Sequence, residues 1–129
     1  MVAVDTNVVV RLLTGDDPAQ AARAHALFER EAVLLGKTMM LESEWVLRRL
    51  YGFGSERIAD AFAALMGLPE VTCEDSPALA DAIRWMRAGM DFADALHLAS
   101  AQPAGRFATF DGKLARRAAK VADVAIIRP

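Results

Sequence analysis

The chain has 129 residues, a length that fits one domain. Its apolar fraction of 54% supplies a real core and its charged fraction of 25% is ordinary for a globular protein, so composition argues against disorder and against a membrane protein. No apolar run approaches the roughly 18 residues a bilayer span requires, and Met1-Val2-Ala3-Val4-Asp5 lacks the basic opening of a signal peptide. A single cysteine, Cys73, excludes an internal disulfide and suits a reducing cytoplasm. The net charge of −2 says nothing for nucleic acid, because the bases are local: Arg48-Arg49, then Lys113, Arg116, Arg117 and Lys120.

Residues 2–4 form a short apolar run ending at Asp5, which predicts a buried strand. Residues 7–14 carry Val8, Leu12 and Leu13 and stop at Gly15, which predicts a short helix. Asp17-Pro18-Ala19-Gln20 then opens a second helix, with Asp17 as cap and Pro18 in the first turn, running to about residue 31. A strand is expected over 33–38, a helix over 40–51, and a further helix capped by Ser55. A third strand follows at 69–73, and Ser76-Pro77 starts another helix. The Ala-rich stretch 92–102 is helical until Pro103 and Gly105 stop it. Strand 107–110, helix 112–121 and strand 124–127 complete the chain. Strands alternating with helices indicate an α/β domain with a mostly parallel sheet covered on both faces.

The informative residues are carboxylates placed at the ends of strands and the starts of helices. Asp5 ends the first strand, and Asp111 ends the fourth just before a helix, where open parallel sheets present their ligand sites. Asp91 and Asp94 open the Ala-rich helix three residues apart and share a face. Glu42 is expected in the first turn of the helix after the second strand; Glu44 is its alternative, about 200° away around the same helix. Acids converging in one crevice repel unless a cation compensates them. With histidine and cysteine so scarce, a hard divalent ion with oxygen ligands, Mg²⁺ or Mn²⁺, is the natural choice. One or two such ions activate water and stabilise charge on a phosphate. Each acid also has a plain structural use: Asp91 and Asp111 as helix caps, Asp94 against a helix dipole, Glu42 as a solvated acid.

Four blocks carry a family resemblance: Val4-Asp5-Thr6-Asn7-Val8, Glu42-Ser43-Glu44-Trp45-Val46-Leu47, Asp91-Phe92-Ala93-Asp94-Ala95-Leu96-His97 and Ala108-Thr109-Phe110-Asp111. In this order and at these spacings the chain resembles the PIN-domain family. The resemblance implies a single domain over residues 1–129, with a three-layer α/β/α fold around a mostly parallel central sheet. It implies a Mg²⁺- or Mn²⁺-dependent endoribonuclease of the VapC toxin type, cytoplasmic, dimeric, and held inactive by an antitoxin. The acids it carries over are Asp5, Glu42, Asp94 and Asp111, with Asp91 as a fifth. Thr6, Asn7 and Thr109 would be hydrogen-bonding supports. Arg48, Arg49, Lys113, Arg116 and Arg117 would hold RNA phosphates. His97, one turn beyond Asp94, is a further ligand or a packed residue. Two rivals remain. A haloacid-dehalogenase-like phosphatase wants a second acid two residues after Asp5, where Asn7 stands. A catalytically silent RNA- or protein-binding scaffold should have lost an acid, and none is missing.

Overall fold

A computed structural model describes all residues, 1–129. The chain divides into two compact units, Met1–Ser76 and Pro77–Pro129. The first contains β1 (Val2–Ala3), α1 (Thr6–Thr14), α2 (Pro18–Arg30), β2 (Val33–Leu35), α3 (Lys37–Arg49), α4 (Ser55–Met66) and β3 (Val71–Cys73). The second is made of α5 (Ser76–Arg87, its first residue being the last of the first unit), α6 (Phe92–Ser100), a single 3-10 turn at Gln102–Ala104, β4 (Arg106–Ala108), α7 (Gly112–Val121) and β5 (Ala125–Ile127).

Every strand pairing is parallel. In the first unit β1, β2 and β3 run side by side, with Val2 opposite Val33 and Val33 opposite Val71. In the second unit β4 pairs with β5, Phe107 facing Ile126. Parallel neighbours need a crossover long enough to return the chain, and helices supply it. The pair α1–α2 joins β1 to β2, α3–α4 joins β2 to β3, and α7 joins β4 to β5. The α/β class and the parallel sense therefore follow from the alternation in the sequence.

The local chemistry explains the boundaries. Asp17 accepts the Gln20 N–H at 3.1 Å, Pro18 needs no donor partner, and α2 starts where the sequence predicts. Gly15 adopts φ +65° behind α1, a left-handed conformation that glycine takes without penalty. Helix α3, by contrast, begins three residues before the expected start at Met40. Its first N–H, on Lys37, is taken by the Glu74 carboxylate at 2.8 Å, an acceptor 37 residues away that local pattern does not reveal. Ser55 is the first helical residue of α4 and Gly54 occupies the cap position, so the expected serine cap is not made. Helix α6 stops at Ser100, because Pro103 can supply no N–H to a continuing helix and the chain tightens into the 3-10 turn.

Val9, Val33, Leu35, Met40, Leu47, Ile58 and Phe62 of the first unit are fully buried, as are Leu79, Ala82, Ala95, Leu98 and Ala118 of the second. Each set lies on the inward stripe of its helices or on alternate positions of a strand. No helix is long and apolar enough to cross a membrane. Phe62 is the largest wholly enclosed side chain of α4. Truncation to alanine is expected to lower stability by about 3–5 kcal/mol in urea unfolding, through lost transfer energy and the cavity left behind.

Candidate metal centre

In the first unit Val4 leads from β1 straight into α1, and Asp5 is the cap between them. One Asp5 oxygen accepts the Thr6 N–H at 2.7 Å. Thr6 is buried, and its hydroxyl donates to the Glu42 carboxylate on α3. A single threonine therefore links two of the expected acids, one through its backbone and one through its side chain. Asn7, on the next position of α1, is exposed.

Glu42 lies in the second turn of α3 rather than the first, because the helix starts earlier than expected. Glu44 is buried and bonded to Arg48 one turn on, Nε to Oε2 at 2.9 Å. That pair compensates Glu44 within its own helix, whereas Glu42 faces Thr6. Arg49 is exposed at the end of α3. Among the aromatic residues, Trp45 is 50% exposed whereas Trp85 is buried in α5.

In the second unit two more acids are caps. Asp91 accepts the Asp94 N–H at 3.1 Å through Oδ2 and starts α6. Asp111 accepts the Lys113 and Leu114 N–H groups through Oδ1, at 2.9 and 3.1 Å, and starts α7. Each cap occupies one oxygen and leaves the other outside the cap, so capping and ion binding are compatible uses of one carboxylate. Thr109 accepts the Asp111 N–H at 3.0 Å and fixes the turn after β4. The strand accordingly ends at Ala108, and the predicted strand positions Thr109 and Phe110 leave it. Phe110 is 69% exposed, directly before Asp111.

Asp94 is different. Its side chain caps nothing, and it sits part-buried in the first turn of α6. Burial pushes its carboxyl above the ordinary aspartate range, and the charges of Asp91 and Asp111 push it further, while His97 pulls the other way. Asp91, Asp94 and Asp111 thus form one interacting acidic group. Arg117 helps to fix it from outside: its guanidinium donates to the Gly89 carbonyl and ties α7 to the loop that leads into Asp91. Lys113, Arg116 and Lys120 make no such tie and remain exposed on α7.

The donors are all oxygens on acids, which suits a hard divalent cation and not zinc. No group of three or more acidic, histidine or cysteine side chains in the chain is close enough together to hold a metal ion. The first unit contains Asp5 and Glu42 joined by Thr6, and the second contains Asp91, Asp94 and Asp111.

Comparison with known proteins fits these features. The sequence profile of the PIN domain matches residues 2–120, all but the first residue and the last nine. The chain belongs to the PIN-domain family. This PIN domain is matched by no curated protein sequence. Among solved structures, it is similar to VapC20 of Mycobacterium tuberculosis, a toxin that cleaves the sarcin-ricin loop, with 22% identity, 100% of both chains covered and a TM-score of 0.44.

The position of Asp94 has a measurable consequence for this PIN domain. A carboxyl whose folded pKa is raised binds its proton more tightly in the folded state, so its stabilising contribution is present at low pH and lost as pH rises through the raised value. Asp94→Asn is therefore expected to raise the thermal unfolding midpoint at neutral pH. The gain should vanish once the pH falls below the ordinary aspartate range, where Asp94 is protonated in both states.

Proposed function

We propose that this PIN domain is a divalent-metal-dependent endoribonuclease and the toxin of a toxin–antitoxin pair. The observation that carries the reading is the interacting group Asp91–Asp94–Asp111, whose charge is compensated by no lysine or arginine at Asp94. The family match spans residues 2–120 and so includes every acid that the sequence singles out, which supports reading residues 1–129 as one domain.

In this reading Asp5, Glu42, Asp94 and Asp111 hold Mg²⁺ or Mn²⁺, with Asp91 as a further ligand. The ion, when bound, lowers the pKa of water and neutralises charge on the phosphodiester under attack. Thr6 orients Glu42 through its hydroxyl and Asp5 through its N–H, while Thr109 sets the turn that presents Asp111. Asn7 adds an exposed amide beside Asp5. Lys113 and Arg116 on α7, with Arg49 on α3, orient RNA phosphates. Arg48 and Arg117 serve mainly to hold Glu44 and the loop before Asp91. Phe110 offers an exposed ring on which a base stacks next to Asp111. A second copy of the chain and an antitoxin complete the assembly, and exposed Trp45 and Leu50 on and just after α3 are apolar surface for such partners. Its compartment is the cytoplasm, in keeping with the lone thiol of Cys73.

The purified protein is expected to cut an RNA pool with Mn²⁺ and to stop when chelator is added. Asp5→Asn and Asp94→Asn should each lose at least about a hundredfold in rate with circular dichroism unchanged. Thr6→Val, which keeps shape and removes the hydroxyl, should lose about 10–100-fold. Metal-dependent cutting retained by Asp94→Asn would remove that residue from the mechanism.

A further inference from the structure

The first unit contains a groove of about 650 Å³ between α1 and α2. Arg11 Nε donates to Gln20 at 2.8 Å, which sets the last turn of α1 against the first turn of α2. With only residues 15–17 between them, the two helices run antiparallel. The other end of the groove is then formed by Asn7, near the start of α1, and Arg30, at the end of α2. Asp5, the cap of α1, stands beside that end.

The lining is of two kinds. Half-buried Val8 and Leu27 give an apolar floor, and Arg11, Arg23 and Arg30 give a cationic rim with no carboxylate among the lining residues. Arg23 and Arg30 are seven residues apart, within about 20° of each other around α2, so both face the groove. Arg11 is already spoken for: Asp16 binds it at 3.1 Å and Tyr51 at 3.0 Å, and Tyr51 in turn donates to Asp16 at 2.5 Å. Arg30 makes only a 3.2 Å bond to the Ala26 carbonyl, and Arg23 makes no side-chain bond to protein. Two uncompensated guanidinium groups thus flank an apolar strip.

We propose that this groove binds the single-stranded RNA segment adjoining the scissile phosphate. Arg23 and Arg30 pair with successive phosphates, and a base or ribose lies over Val8 and Leu27. The inference rests on the ribonuclease reading above. Alternating apolar and anionic character is the chemistry of a nucleotide strand, whereas a purely acidic partner would leave the apolar floor unused. Neither arginine belongs to the basic clusters that the sequence singles out.

The test is fluorescence anisotropy with a labelled single-stranded oligoribonucleotide of about a dozen mixed-sequence nucleotides, in chelator, across a salt series. Arg23→Ala/Arg30→Ala should weaken binding about tenfold and lower the slope of log affinity against log salt by about 1.4, roughly 0.7 per phosphate contact. Arg23→Lys/Arg30→Lys should restore the slope, and thermal melts should show all variants folded. Unchanged affinity and slope in the alanine variant would overturn the groove while leaving metal-dependent cleavage by the wild type untouched. A polyglutamate peptide of matched charge that displaces the RNA equally well, with the same loss in the variant, would also overturn it in favour of an acidic protein partner. Groove-dependent RNA binding by a protein that cuts nothing would uphold the groove and overturn the nuclease.

Discussion

Carboxylates of like charge do not gather unless other bonds hold them, and that constraint organises the acidic residues of this chain. Asp91 and Asp111 are fixed by the N–H groups of the helices they start, and Arg117 ties one helix to the loop before the other. Asp94 has no such bond, and its burial, with the charges of Asp91 and Asp111 adding to it, raises its proton affinity. In the first unit a buried threonine does comparable work, binding Asp5 with its backbone and Glu42 with its hydroxyl.

The caps also temper the cost. Asp5, Asp91 and Asp111 each stand at a helix N-terminus, where the positive end of the helix dipole favours an acidic side chain. The same bonds fix which oxygen faces inward toward the backbone and which faces away. Stability and ligand presentation are therefore two results of one arrangement. A capping acid in this fold is no less a ligand candidate for being a cap.

Much of this was legible in the sequence because the signals are local. Asp17-Pro18 starts α2 and Gly15 closes α1 as composition predicts, and the strand-to-helix positions of Asp5 and Asp111 follow from apolar runs meeting an acid. What was not legible depends on distant partners. The start of α3 is set by Glu74, and so the turn of α3 that carries Glu42 was misplaced. The choice between Glu42 and Glu44 was open from periodicity alone, and the two residues have different partners, Thr6 and Arg48. Phe110 reads as a strand residue until the Thr109 hydroxyl turns the chain. Arg23 and Arg30 read as a solvated face until α1 is packed antiparallel beside them.

The central claim is that the acidic group Asp91, Asp94 and Asp111 binds the divalent ion of the proposed nuclease. Substoichiometric Mn²⁺ added to isotope-labelled protein tests it directly, because the ion broadens the amide signals nearest to it. The account predicts that the signals of Asp91, Asp94 and Asp111 broaden first, and that Asp94→Asn abolishes the broadening. Signals of Asp91, Asp94 and Asp111 that stay sharp while others broaden, or broadening unchanged in Asp94→Asn, would contradict it.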